Sequence, residues 1–173
     1  MTEPLREPSE ELKRIVEEAT YLRGRIVTHY SHAEFLLADF VVKCQNFEQY
    51  NGKEFKFPYS IEKRLKAVKE IASAEGPINK YLGKINAIID DILLFERKRH
   101  FMAHGWMMLK YNRTGHLIEF RMYTQKKGGQ FQLEYEDFDI QGMRKFSEKA
   151  ATFLSNMQSL FREIYLQEGL ESK

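Results

Sequence analysis

The chain has 173 residues, the length of one domain, and 43% of them are hydrophobic, which supplies a core and argues against a disordered chain. Its 27 basic and 25 acidic residues give a formal charge of +2, which argues against a polycation that holds a long nucleic acid by charge alone. Because the lone Cys44 suits a reducing compartment and no apolar run is long enough to cross a bilayer, we expect a single cytoplasmic domain over residues 1–173.

A long amphipathic helix is predicted near residues 9–45. Apolar residues recur there in steps of three and four, and Ser9 is suited to cap the helix. A polar stretch containing Gly and Pro follows over residues 46–58 and predicts a loop. A shorter helix is predicted near residues 60–74, with Ser60 as its cap.

Two more long helices are predicted near residues 78–104 and 139–168. Pro77 suits the start of the former helix, and Gly105 suits a stop directly after it. The latter helix carries apolar residues at alternating steps of three and four, which is typical of a helix with one buried face.

Between these two helices the sequence pattern changes from helical to strand-like. Trp106–Tyr111, His116–Thr124 and Gln130–Glu136 are rich in aromatic and large apolar residues, and turn sequences containing Gly separate them. They predict a three-stranded antiparallel β-meander near residues 106–136. The predicted fold class is therefore mainly α, a bundle of about four helices with a small meander inserted before the last helix.

The candidate functional residues crowd onto the last turns of the third helix. Two His residues, His100 and His104, follow Arg97 and Arg99 within eight positions. A His that titrates near neutral pH suits general acid–base catalysis, and the planar fork of an Arg matches phosphate oxygens. Heptad-like steps along the helix place Arg99 towards the core, where a guanidinium needs a partner such as Glu34.

This segment resembles the signature of HEPN domains, which is an Arg, a polar residue, a few variable positions and a His. In this chain the signature is carried by Arg99-His100-Phe101-Met102-Ala103-His104. The following Gly105 fits the Ala-His-Gly form of many members. The rest of the chain is similar to the family in architecture alone, and the inserted strands depart from the minimal helical bundle.

The resemblance implies a metal-independent endoribonuclease that uses the 2′-hydroxyl of RNA, often in a toxin–antitoxin or phage-defence system. It also implies a homodimer with a composite active site, an RNA substrate, and an antitoxin or effector protein as a further partner. His104 would act on the 2′-hydroxyl or the leaving oxygen, Arg99 would stabilise the transition state, and His100 would orient the phosphate. The predicted substrate-binding residues are Arg97, Glu34 and Lys98.

The sequence leaves two questions about this segment open: which Arg is functional, and whether the segment is catalytic or only structural. An ideal helix places Arg97 on the face of His104 and Arg99 well round the cylinder, whereas the resemblance favours Arg99. A purely structural ion pair of Arg99 with Glu96 or Glu34 is the alternative to any catalytic role. The corresponding functional alternative is a non-catalytic helical dimer that binds a protein or a nucleotide.

A metal centre is a further alternative, since His29, His32, His100 and His104 form two pairs on helices expected to be neighbours. The supply of carboxylates near these residues is thin, and the chain has no Cys cluster and no His-Glu-x-x-His pattern. Gly-rich phosphate loops and dinucleotide fingerprints are also lacking. We therefore predict no metal and no cofactor.

Overall fold

The structure, a computed structural model, describes residues 9–50, 60–112 and 115–170. The α-helices are α1 (Glu10–Cys44), α2 (Ile61–Ser73), α3 (Leu82–His104) and α4 (Ile140–Glu168). The strands are β1 (Trp106–Asn112), β2 (Gly115–Gln125) and β3 (Phe131–Phe138). This mainly helical fold, with a three-stranded sheet before the last helix, confirms the predicted fold class. Most of the predicted loop over residues 46–58 lies outside the described residues.

Both predicted helix caps are present. The backbone N–H of Leu12 donates to Ser9 Oγ at 3.3 Å, and that of Lys63 donates to Ser60 Oγ at 3.4 Å. These bonds satisfy N–H groups that the first turn of a helix leaves unpaired. Within the described part of the chain, no helix combines the length and the apolar character that crossing a membrane requires.

The sheet is an antiparallel meander in the order β1-β2-β3. Alternate side chains of a strand point to opposite faces of the sheet. Ile118 pairs with Phe138 across β2 and β3, and Phe120 follows two positions along β2, so the three side chains share one face. All three are buried, which makes this the inner face of the sheet and leaves the opposite face as the outer one.

The chain divides into two compact units. The first unit comprises Met1–Val27 and Lys98–Glu148, and the second comprises Thr28–Arg97 and Lys149–Lys173. The first unit therefore contains the sheet, the start of α1, the end of α3 and the start of α4. The second unit contains α2 and the remaining parts of α1, α3 and α4.

Aromatic side chains organise the core of the second unit. Tyr30 on α1 meets Phe153 on α4 edge to face, with ring centroids 5.0 Å apart, and its hydroxyl donates to the carbonyl of Ile92 on α3 at 3.4 Å. Phe40 stacks on Phe161 with a centroid separation of 4.5 Å. These contacts join three helices around one apolar centre, in which edge-to-face and offset rings are the favoured arrangements.

The core of the first unit lies under the inner face of the sheet. Phe120 and Phe138 meet edge to face at 5.7 Å, and both are buried. Phe101 and Met102 from α3 and Met143 from α4 are also buried in this unit. The last turn of α3 is thus anchored by apolar side chains immediately beside the predicted site.

Candidate functional site

His100 and His104 stand one helical turn apart at the end of α3, in the first unit. Both side chains are exposed, and their ring centroids are 4.9 Å apart with the planes at 63°. This proximity follows from helix geometry, because residues four apart lie on the same face. Two imidazoles that reach solvent together can contact one substrate group, such as a phosphodiester.

Lys98 and Arg99 directly precede His100 in the chain and belong to the same unit. Arg99 is half-buried, whereas the heptad-like steps along the helix predicted that it would point into the core. The buried positions of this turn are instead those of Phe101 and Met102. Lys98 is exposed, and its ammonium nitrogen lies 5.7 Å from the centre of the Phe138 ring. The Arg99 guanidinium is consequently not sealed inside the apolar core.

Arg23 on α1 holds the end of α3 in place. Its Nε donates to the carbonyl of Met102 at 2.6 Å, and its Nη2 donates to the carbonyl of Gly105 at 3.1 Å. Its guanidinium also lies 5.5 Å from the centre of the Phe120 ring. The last carbonyls of a helix have no partner within the helix, so a cation that binds them stabilises the terminus.

Sequence reasoning did not single out Arg23 as a functional residue. It carries no motif, and the carbonyls it binds are 79 and 82 positions away along the chain. The periodic burial of its neighbours Leu22 and Ile26 indicates only that it lies beside the buried face of α1.

Gly105 allows the chain to pass directly from α3 into β1. Its backbone N–H donates to the carbonyl of Phe101 at 2.7 Å, which closes the last turn of the helix. A Cβ at this position would approach the same carbonyl oxygen to 2.5 Å and the Cβ of Phe120 to 3.2 Å. The close approach of the backbone therefore requires glycine, in agreement with its predicted role as the stop of the helix.

The other predicted substrate-binding residues belong to the second unit. Glu34 on α1 is half-buried; its backbone carbonyl accepts a bond from Arg64 Nη1 at 2.8 Å, and its carboxylate lies 3.8 Å from the same nitrogen. Arg97 is an exposed residue of α3. Glu34 therefore has an arginine of α2 as an ionic neighbour, a pairing that the sequence did not indicate.

Within residues 9–50, 60–112 and 115–170, no three His, Cys, Asp or Glu side chains come together in a way that could hold a metal ion. His29 and His32 lie in one unit and His100 and His104 in the other, and neither pair has a third such ligand among these residues. The side chains that the structure places together at the end of α3 are those of His100 and His104.

The chain was compared with protein-family models, curated proteins and solved structures, and none of the three comparisons finds a match.

Proposed function

We propose that the protein is a metal-independent endoribonuclease whose active residues are His104, Arg99 and His100. The observation that carries this proposal is the pair of exposed imidazoles on the last turns of α3, with the half-buried Arg99 beside them. A cleavage site for a polymer needs groups that a phosphate can reach from solvent. The three side chains also supply the acid–base and charge-stabilising functions that the transfer of a phosphoryl group requires.

The reaction needs no reactant other than RNA. His104 acts on the proton of the 2′-hydroxyl or of the leaving oxygen, and the 2′-oxygen attacks the adjacent phosphorus. The bond between phosphorus and the 5′-oxygen breaks, and that oxygen gains a proton. The products are a 2′,3′-cyclic phosphate and a 5′-hydroxyl, so protons and electrons balance without water or a redox partner.

Arg99 is proposed to stabilise the charge that develops on the phosphate oxygens, because its planar fork donates two parallel hydrogen bonds. On a regular helix Arg99 lies about 140° round the axis from His104, at 100° per residue. One helix therefore does not point both groups at one phosphate. This supports a composite site, in which a second copy of the chain brings its Arg99 to the His104 of the first.

Incubation of the purified protein with mixed RNA and excess chelator tests the proposal. We expect cleavage by the wild type and none by His104→Ala. His32→Ala is the matched control, because His32 is an exposed histidine of α1, and it should cleave like the wild type. Equal cleavage by His104→Ala and the wild type contradicts the proposal. The absence of cleavage by the wild type would leave the binding of a protein or nucleotide as the function of this helix end.

The conservative change Arg99→Lys tests the role of the guanidinium separately. It keeps the positive charge but loses the fork, so the rate of cleavage should fall about 100-fold, as for the loss of one preorganised donor in a transition state. RNA binding should change far less than the rate. An unchanged rate would show that Arg99 does not act on the transition state.

A further inference from the structure

The outer face of the sheet exposes an unusual number of large apolar side chains. Their exposed fractions range from 43% to 72%. The residues are Trp106 on β1, Tyr123 on β2, and Phe131, Leu133 and Tyr135 on β3. A contiguous apolar patch of this kind on a protein surface is typical of a binding site.

The strand register places these side chains together on one face. Trp106 pairs with Arg121, and Arg121 pairs with Tyr135, so the three form one row across the sheet. Tyr123 pairs with Leu133 two positions along the strands. Directly paired residues lie on the same side, as do residues two apart.

The last row of the outer face lies at the end of the sheet near the β2–β3 turn, where Gln125 pairs with Phe131. The outward positions of one strand repeat about every 6.7 Å, which is about two steps of 3.4 Å between stacked nucleotides. Successive outward positions can therefore contact every second base of a stacked single strand. Four of the five apolar residues are aromatic, and aromatic rings are the side chains on which unpaired bases stack.

Positively charged side chains lie next to the aromatic rings of the outer face. Arg121 stands between Trp106 and Tyr135, and Lys110 Nζ lies 6.0 Å from the centre of the Tyr135 ring. Lys126 and Lys127, both exposed, occupy the turn between β2 and β3. RNA carries bases and phosphates in alternation. A guanidinium that lies between rings can contact a base, and ammonium groups at the edge of the face can contact phosphates.

The carboxylates of this face are paired with its cations. Glu119 is only 2% exposed; it accepts hydrogen bonds from Arg121 and, at 3.2 Å, from Lys110 Nζ. Asp137 lies 3.6 Å from the same Lys110 nitrogen. Glu119 and Asp137 balance the charges of Arg121 and Lys110, so this part of the outer face presents mainly aromatic rings, and the exposed Lys127 of the β2–β3 turn adds positive charge at its edge.

We propose that this outer face binds single-stranded RNA by stacking bases on its aromatic side chains. The outer face begins close to the proposed catalytic residues along the chain, since β1 begins at Trp106, two positions after His104 in the same unit. The choice of RNA as the partner rests on the proposed function. The face would hold the unpaired strand while the histidine pair acts on the phosphate that follows.

Binding is measured with a fluorescent single-stranded RNA whose riboses are all 2′-O-methylated, because such a probe cannot be cleaved through the 2′-hydroxyl. Fluorescence anisotropy should show that Tyr123→Ala and Phe131→Ala each weaken binding about tenfold or more. Tyr21→Ala is the matched control, since Tyr21 is an exposed tyrosine of α1 in the same unit, and it should bind like the wild type. A duplex of the same sequence should bind more weakly than the single strand.

Trp106 supplies a second readout that does not depend on substitutions. It is the single tryptophan of the chain, so its emission reports directly on this face. Stacking of a base on the indole should quench that emission in step with the anisotropy change. Unchanged emission at a probe concentration that saturates anisotropy overturns the inference, because the RNA would then be bound elsewhere.

The remaining outcomes separate this inference from the proposed function. If the sheet variants bind the probe as the wild type does, the inference is wrong whether or not natural RNA is cleaved. If they change the molar mass in light scattering and leave RNA affinity intact, a second protein chain covers the face and the inference is also wrong. Stacking on this face without any cleavage of natural RNA would support the inference and contradict the nuclease.

Discussion

Glu119 is a carboxylate that faces outward from the sheet and is nevertheless buried. Arg121 and Lys110 cover it and donate hydrogen bonds to its two oxygens. Burial alone raises the pKa of Glu119, but the bonds and charges of Arg121 and Lys110 together outweigh it and hold the pKa below the usual value of 4.5. Glu119 is therefore ionised in the folded protein at neutral pH, and its negative charge helps to hold Arg121 and Lys110 in place.

The lowered pKa of Glu119 predicts a dependence of stability on pH. Because the pKa is lower in the folded than in the unfolded chain, the contribution is complete above about pH 4.5 and is lost as pH falls through the folded pKa. Urea unfolding from pH 7 to pH 3 should show that the wild type loses stability in acid more steeply than Glu119→Gln. Glu62→Gln, at an exposed position of α2, serves as the control and should keep the wild-type slope. Equal slopes for the wild type and Glu119→Gln would contradict the assignment.

Cys44, the last residue of α1, is fully buried, and burial raises the pKa of its thiol to about 12. At pH 8 only about one thiol in ten thousand would then be the reactive thiolate. A disulfide reagent such as Ellman's reagent should modify the native protein at least about 100-fold more slowly than the protein in urea. Comparable rates in both states would show that the thiol reaches solvent in the folded chain.

At the scale of elements, the contact between α1 and the end of α3 holds the helix turn that carries His104. Arg23 joins α1 to the carbonyls of Met102 and Gly105, which lie two positions before and one position after His104 along the chain. His104 itself is exposed, so its position depends on the order of the helix turn that carries it. Arg23 is thus a positioning residue for the proposed chemistry, with no contact to substrate of its own.

Replacing Arg23 by Met should loosen this helix end. The loss of two charge-assisted hydrogen bonds should lower the free energy of unfolding by about 1–3 kcal/mol. Hydrogen exchange of the backbone N–H groups at the end of α3 should accelerate more than exchange elsewhere in the first unit. Arg25→Met, at an exposed arginine of the same helix, is the matched control. Unchanged exchange at the end of α3 in Arg23→Met would contradict this role.

Several elements could be predicted from the sequence because their causes are local. The caps at Ser9 and Ser60 depend on residues three positions away, and the stop of α3 depends on Gly105 and its own preceding turn. The hydrogen bonds of Arg23 depend on packing between distant parts of the chain, which no periodicity reveals. The aromatic outer face lies between these cases, since the sequence predicts the three strands but not that these apolar side chains stay exposed.

At the scale of the whole molecule, the order of the helices and strands followed from changes of hydrophobic period. The division into two units could not be predicted from these changes. Its boundaries at residues 27/28, 97/98 and 148/149 fall inside α1, α3 and α4. No change of composition, Gly–Pro cluster or linker marks a boundary that continuous helices cross, so the sequence offers no signal for it.

The composite site proposed for a homodimer predicts complementation between inactive variants. In a mixture of Arg99→Ala and His104→Ala chains, each mixed dimer would retain one intact site and one doubly altered site. Activity should recover to about a quarter of the wild-type level after subunit exchange in equimolar amounts. Each variant alone should stay inactive. A mixture as inactive as its components would contradict a site that is shared in this way.

The chemical nature of the cleaved ends tests the central claim most directly, because it reports the nucleophile rather than the loss of substrate. RNA digested by the wild type in excess chelator should yield only 2′,3′-cyclic phosphate and 5′-hydroxyl ends by mass spectrometry. A single 2′-deoxy substitution at a mapped cleavage position should abolish cleavage there, and His104→Ala should produce no such ends. Products with 5′-phosphate ends, or cleavage that persists at the 2′-deoxy position, would contradict the account.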